Sequence, residues 1–313
     1  MFRFKHRHSR GSVRPLLSLL AGVFVGYLCV HELHNIPCRS AKIITSHNSL
    51  GRIQFVIRTN ESSPRVLCFL NTYPDNFAEL AFHVQRTWAR RCTETVFTTT
   101  EAYPGIRVLR PDLRVPETRD HLWTKLRMSI RAVYRELNNF DYYYRADDDT
   151  YAFVENLFAL IKKLNTTEAF MTGYRFTHEP LTNHFDGGAG YVFPREVLKR
   201  LVEQSIGRHD KCPSYDGEKD DVYVCACAKA VGVPLVDSLD EGGRPLFYYE
   251  SVAKYFENFR PSSTEIISDN PFIRRKRFTL GPNHISFHHM RASLMYVCEF
   301  AGYYLRPVGV EGD

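Results

Sequence analysis

The stretch Tyr142-Tyr143-Tyr144-Arg145-Ala146-Asp147-Asp148-Asp149-Thr150-Tyr151 decides how this chain is read. Aromatic residues suit a pleated, buried strand, so residues 142–146 read as a strand that runs into three consecutive carboxylates. Phe153, Leu157, Leu160, Ile161 and Leu164 follow at helical spacing. Adjacent carboxylates repel one another, and a fold tolerates them best in a solvated turn or around a cation. An aromatic strand before the triplet and an amphipathic helix after it speak against a plain surface turn. An oxygen-rich site at a strand end suits Mg²⁺ or Mn²⁺. Such an ion can bridge a nucleotide's diphosphate to the protein and stabilise the charge of a leaving group. A phosphatase of the Asp-x-Asp-x-Thr type fails on spacing, because Tyr151 stands two residues after Asp149.

Upstream, Arg65-Val66-Leu67-Cys68-Phe69-Leu70 is a short apolar run that stops at Asn71-Thr72-Tyr73-Pro74, the signature of a buried strand. Asn76-Phe77-Ala78-Glu79 has capping-box spacing, and Phe77, Leu80, Ala81, Val84 and Trp88 continue at helical spacing. Thr95-Val96-Phe97-Thr98-Thr99 and Ile106-Arg107-Val108-Leu109 read as further strands. Leu122, Leu126, Ile130, Val133 and Leu137 mark one face of a long helix. This alternation predicts an α/β fold with a mostly parallel sheet between helices. In such sheets ligands bind beyond the carboxyl ends of the strands, where the acidic triplet lies.

Downstream, Gly187-Gly188-Ala189-Gly190-Tyr191 allows close backbone approach to a ligand, although a plain loop fits it equally well. Its spacing is not that of a dinucleotide fingerprint. Phe193-Pro194 opens a helix with proline in the first turn. Glu218-Lys219-Asp220-Asp221 starts a helix that runs to about residue 231, with Gly232 as its stop. Acids are favoured at a helix N-terminus by the dipole alone. The functional alternative is a general base that takes the proton of an attacking hydroxyl, and Asp221 is the choice for it. His288 ends the run Ile285-Ser286-Phe287 and offers a nitrogen ligand for the metal. His289 stands beside it, and chemistry alone does not choose between them.

The chain has 313 residues, 44% hydrophobic and 24% charged, enough for one large domain with short appendages. Part of its net charge of +6 sits in the first fourteen residues, which hold five basic residues and no acid. No basic stripe interleaved with aromatics runs through the middle, which argues against nucleic acid as a partner. Residues 15–30 are uncharged, marginally shorter than the roughly 17–25 residues that span a bilayer. The expected order is a cytoplasmic tail at 1–14, a signal anchor at 15–30, a polar stem at 31–63 and a lumenal body at 64–313. A cleaved signal peptide is the alternative, and no clean cleavage site follows. Eight cysteines and the sequons at Asn60 and Asn165 suit an oxidising lumen.

Taken in order, Tyr144-Arg145-Ala146-Asp147-Asp148-Asp149-Thr150-Tyr151, Gly187-Gly188-Ala189-Gly190-Tyr191-Val192 and Ser286-Phe287-His288 resemble the core 1 β1,3-galactosyltransferases (T-synthases). These share a broad glycosyltransferase group with Fringe. Arg65-Val66-Leu67-Cys68, Thr87-Trp88-Ala89-Arg90-Arg91-Cys92 and Leu305-Arg306-Pro307 extend the resemblance over nearly all of the body. It implies a GT-A fold of Rossmann-like character, a UDP-galactose donor and Mn²⁺. It implies inverting transfer to O3 of GalNAc α-linked to Ser or Thr of a glycoprotein, by a type II Golgi membrane protein. A homodimer stands among the expected assemblies.

The resemblance carries residue roles as well. Asp147, Asp149 and His288 are expected to bind the metal. Asp148 is expected at the nucleotide; outside the matched motifs, Thr72 and Lys125 are also expected to contact it. Gly187, Gly188, Gly190, Tyr191 and Asp220 are expected at the acceptor or active-site loop, with Asp221 as base. The matching disulfides are Cys68 with Cys92 and Cys212 with Cys227, while Cys225 and Cys298 receive no partner and a Cys212–Cys225 bridge stays open. The implied mechanism is direct displacement of UDP by the acceptor oxygen. Two departures stand out: Asp220 replaces the family's Glu, and Arg274-Arg275-Lys276-Arg277-Phe278-Thr279-Leu280-Gly281-Pro282 replaces an aromatic-rich stretch with a double cysteine. The rival readings are a Fringe-like N-acetylglucosaminyltransferase and a non-catalytic chaperone or glycan-binding relative. The intact acidic triplet, Asp221 and His288 argue against the latter.

Overall fold

In the computed structural model, β1 (Val66–Asn71) is a buried strand whose side chains alternate between two cores. Val66, Cys68 and Leu70 enter one core, while Leu67 and Phe69 enter the other. A strand buried on both faces reads as a continuous apolar run, which is why the sequence marks it so clearly. The structure describes residues 63–164, 168–176, 183–257, 266–267, 277–278 and 280–305, all within the unit Asn60–Asp313. The expected tail, anchor and all but the last stem residue lie outside the described residues. So do both sequons and most of the basic segment at 274–277. No helix among the described residues is long and apolar enough to cross a membrane.

After β1 the chain makes a 3-10 turn (Pro74–Asn76), a π turn (Phe77–Ala81) and α1 (Phe82–Arg86). Asn76 makes no side-chain cap here, contrary to the capping-box expectation; its amide donates to Asp148 instead. Next come β2 (Glu94–Thr98), β3 (Val108–Leu109) and α2 (Leu122–Tyr134). Trp123, Leu126, Ile130 and Val133 form the buried stripe of α2. Leu137 falls beyond the helix, in a 3-10 turn with Asn138 and Asn139, which are poor helix formers. The decisive stretch forms β4 (Tyr142–Asp147), then β5 (Tyr151–Ala152) and α3 (Val154–Ile161).

The second half contains β6 (Met171–Gly173), β7 (Arg175–Phe176), β8 (His184–Phe185) and β9 (Tyr191–Pro194). Pro194 closes β9 and sits just before α4 (Arg195–Arg200), not within its first turn. Then follow α5 (Asp220–Ala230), β10 (Leu235–Asp237), β11 (Phe247–Tyr248) and α6 (Val252–Glu257). The chain continues through β12 (Ile266–Ile267), β13 (Arg277–Phe278), β14 (Ser286–Phe287) and α7 (Ala292–Tyr303). Gly232 takes a left-handed φ of 73° two residues after α5, where a glycine stop belongs.

The main sheet has the order β10-β6-β9-β4-β1-β2-β3. Strands β4, β1, β2 and β3 are mutually parallel, and β9 runs antiparallel to both β4 and β6. The sheet is therefore mixed, with the expected parallel half intact. The tyrosine triplet divides between the two cores, Tyr142 and Tyr144 on one face and Tyr143 on the other. In the register of β1 and β4, Asn71 lies beside Asp147, so both strands end at the same place. A smaller sheet, β11-β14-β5, pairs Phe287 with Tyr151 and Ser286 with Ala152. That pairing carries the residues after β14 to the acidic turn. Cys68 is bonded to Cys92 and Cys212 to Cys227, while Cys225 and Cys298 are buried free thiols.

Candidate active site

The carboxyl ends of β1 and β4 open into a cleft of about 600 Å³. Asp147, Asp148, Asp149, Gly187, Gly188, Asp220, Asp221 and His288 all line it, as expected, together with Tyr73, Asp186 and His289. Strand β4 ends at Asp147, and the turn that follows sends the three carboxylates in different directions. Each therefore has its own environment.

Asp149 faces two imidazoles. Its Oδ1 lies 3.2 Å from His288 Nε2, and its Oδ2 lies 3.5 Å from His289 Nδ1. Burial alone would raise the Asp149 pKa, but the two histidines outweigh it and hold the carboxylate well below its ordinary range. On the other side of the His288 ring, Nδ1 lies 3.1 Å from Asp186 Oδ1. Burial opposes a charged imidazole there, yet Asp186 and Asp149 together raise the His288 pKa well above that of a free histidine. Asp186 is itself held by the backbone N–H of Ala189. A carboxylate on the outer nitrogen of a histidine fixes its tautomer and aims the other nitrogen, the usual support of a metal-ligating imidazole.

Asp148 is nearly buried and accepts hydrogen bonds from the Thr72 hydroxyl (2.6 Å) and the Asn76 amide (3.2 Å). Burial pushes its pKa up to about 7. Asp147, expected as a metal ligand, stands apart from the histidines. It pairs with Arg145 at 3.0 Å and accepts from Asn71 at 3.2 Å. The group able to hold a cation among the described residues is Asp149, His288 and His289, whose ligand atoms all lie within 4.8 Å of one another. Imidazole nitrogens with a carboxylate fit a divalent first-row transition ion.

Arg145, 2% exposed, bridges the end of β4 to the start of α5 through Asp147 and, at 2.9 Å, Asp220. Asp221 follows at the N-terminus of α5 and accepts from the Val222 N–H at 2.7 Å. Burial pushes the carboxyls of both Asp220 and Asp221 above the ordinary range, with the Arg145 charge pulling them back. A carboxylate with a raised pKa that still ionises at neutral pH suits a general base.

Two glycines of the loop that line the cleft leave no room for a Cβ. A Cβ on Gly188 would lie 1.8 Å from the His288 ring, and one on Gly187 would lie 2.5 Å from Arg145 Nη1. Gly190 and Tyr191 do not line the cleft. Gly190 takes a φ of 86° and packs on Tyr144, while Tyr191 is buried in the core beneath Arg145. Thr72 and Lys125, expected at the nucleotide, do not line the cleft either and are buried behind its wall. The Lys125 ammonium donates to the Thr72 carbonyl and pairs with Glu117 at 2.8 Å, while the Thr72 hydroxyl braces Asp148. α2 buries the lysine almost completely. Asp186 and Arg145 escaped the sequence reading. An acid next to a glycine pair and an arginine within a strand are signals too common to single out a site.

A Galactosyltransferase family profile matches residues 113–187, which include the acidic turn and the first loop glycine. The chain is 30% identical over 285 residues to the glycoprotein-N-acetylgalactosamine 3-beta-galactosyltransferase 1 of Xenopus laevis, covering 85% of this chain and 74% of that protein. It is 27% identical over 170 residues to a beta-1,3-glucosyltransferase of Mus musculus, covering 53% of this chain and 33% of the relative. The match to the mouse chondroitin sulfate synthase 3 is 24% over 268 residues, 79% of this chain and 29% of that one. The chain thus spans about a third or less of these last two relatives. Among solved structures, the catalytic domain of Drosophila beta1,4galactosyltransferase 7 aligns with a TM-score of 0.34 at 16% identity, over 55% of this chain and 64% of that one. From 30% identity over 85% of this chain and 74% of the Xenopus enzyme, this chain belongs to the core 1 β1,3-galactosyltransferase family.

Proposed function

We propose that the cleft transfers galactose from UDP-galactose to O3 of GalNAc α-linked to Ser or Thr of a glycoprotein, with inversion at the anomeric carbon. The observation that carries this reading is the placement of two different chemistries in one cleft at the ends of β1 and β4. Asp149, His288 and His289 form a group able to hold a cation, and Asp221 is a carboxylate suited to act as base. Asp149 and His288 are the residues that would hold Mn²⁺. When bound, Mn²⁺ supplies positive charge to the departing diphosphate. Asp221 takes the proton of the acceptor hydroxyl as that oxygen bonds to the anomeric carbon and the bond from that carbon to the diphosphate breaks. Arg145 keeps Asp220 and the start of α5 against the sheet, so the base is aimed from a rigid helix end. A GT-A arrangement agrees with the mixed sheet and with the site lying beyond its parallel strands.

The same reading includes a type II Golgi membrane protein anchored by residues 15–30, with its body in the lumen. The two disulfides support an oxidising compartment for the body.

The test uses the full-length chain in detergent and an Asp149→Ala variant. Each is incubated with Mn²⁺, a GalNAc-α-Thr peptide, and UDP-galactose or UDP-N-acetylglucosamine. A β1,3-linked hexose formed from UDP-galactose by the parent and lost in the variant is the expected result. Transfer from UDP-N-acetylglucosamine alone, or to other acceptors only, would replace this reading with the Fringe-like one. Folded protein that transfers neither sugar would refute it.

A further inference from the structure

We infer that His289 is a third protein ligand of the cation, so that the site binds through two imidazoles and one carboxylate and selects first-row transition ions over Mg²⁺ and Ca²⁺. The inference deepens the functional reading above and rests on it for the presence of a cation.

Three independent features of His289 meet at this point. Its Nδ1 faces the second oxygen of Asp149, so one carboxylate addresses both imidazoles, one oxygen to each. The His289 ring lies against the His288 ring, centroids 3.8 Å apart and planes within 18°. Two stacked imidazoles present their nitrogens side by side to the carboxylate between them. Finally, His289 adopts a φ of 52°, and Asn183 is the one other non-glycine residue among the described residues with a positive φ. For a residue with a Cβ, the left-handed region costs about 1–2 kcal/mol, and such strain collects where function holds it in place.

Burial does not hold it there, since the side chain is 47% exposed and on the cleft side. The neighbouring backbone does. His288 N–H donates to the Tyr248 carbonyl, and Met290 N–H donates to the Asp149 carbonyl at 2.7 Å. Between these two bonds the chain turns so that consecutive histidines, which would point apart in an extended strand, reach the same carboxylate. Tyr249 meets both rings edge-on, at 6.1 and 5.5 Å. Imidazole is a poor partner for Mg²⁺ and Ca²⁺, which prefer oxygen, and a good one for Co²⁺ and Zn²⁺, with Mn²⁺ between.

The experiment measures metal binding without donor sugar or acceptor. Full-length chain in detergent is titrated with Co²⁺, followed by its visible absorption and by calorimetry, and then challenged with Mg²⁺. The variants are His289→Gly, which suits the left-handed backbone, with His288→Gln and Asp149→Ala as references. We expect His289→Gly to bind Co²⁺ about tenfold or more weakly, to narrow the preference for Co²⁺ over Mg²⁺, and to unfold no earlier than the parent in EDTA. Binding within twofold of the parent, while the two reference variants lose it, overturns the role of His289 and leaves the functional reading in place. Parental binding in all three variants overturns both.

Discussion

Replacing Gly188 by alanine asks whether His288 is held where it is by the space the glycine leaves. Gly188 is not among the positive-φ residues, so alanine meets no backbone strain. Restricting the unfolded chain would then stabilise the protein by roughly 0.4–1 kcal/mol. The contact reverses that sign. The new Cβ would fall 1.8 Å from Cε1 and Nε2 of His288 and 2.3 Å from Nδ1. The ring would have to retreat roughly 2 Å to reach ordinary van der Waals separation. Both of its nitrogens are engaged, with Asp149 at 3.2 Å and Asp186 at 3.1 Å, so the ring cannot retreat without loosening one of them. Breaking a buried ion contact outright costs about 3–5 kcal/mol, and loosening one of these two sets the net loss on the order of 2 kcal/mol. For a domain of this size that lowers Tm by roughly 4–8 °C. Thermal unfolding in EDTA measures the loss, and Co²⁺ titration measures the site, with binding at least about tenfold weaker expected. A variant that keeps the parent's Tm and its metal affinity would refute this account of the glycine.

Asp221→Asn is expected to lower the transfer rate by about 10²–10⁴-fold while leaving the donor KM nearly unchanged, read from initial rates. Because burial raises the Asp221 pKa, the parent's rate should fall with acidification at a pH above the ordinary carboxylate value of about 4. By the same shift, ionised Asp221 costs the folded state stability above its unfolded pKa, so Asp221→Asn should unfold at a higher temperature than the parent at neutral pH and with no gain at pH 3. Arg145→Ala leaves Asp147 and the nearly buried Asp220 without their shared guanidinium, and a loss of about 3–5 kcal/mol is expected in urea unfolding. Asp186→Ala should weaken Co²⁺ binding about 10–100-fold; Asp186→Asn, which keeps an oxygen toward His288 Nδ1, should recover part of that loss, and equal affinities in both would exclude an orienting role.

The strands and helices of the parallel half were legible because their signals are local. β1 and β4 are buried on both faces, so β1 appears as an unbroken apolar run and β4 opens with three tyrosines, and the stripe on α2 repeats with the helical period. The acidic turn was legible as chemistry because three adjacent carboxylates need an explanation wherever they stand. Asp221 could be placed by its position at a helix start, and Gly232 by its position at a helix end.

The assembly of the site depends on pairings between distant residues, which no local pattern records. Antiparallel pairing of β14 with β5 brings His288 and His289 to Asp149, some 140 positions earlier in the chain. The turn after β4 separates Asp147 from that group and hands it to Arg145. Packing of α2 against the sheet turns Lys125 and Thr72 from expected ligand contacts into the brace behind Asp148. Residue type states what a side chain is able to do: composition and spacing pointed to a divalent-cation site for a diphosphate with a carboxylate base nearby, and the resemblance of the ordered motifs supplied the transferase. Which side chains face the cleft, and which stand behind it, was settled by strand register and helix packing.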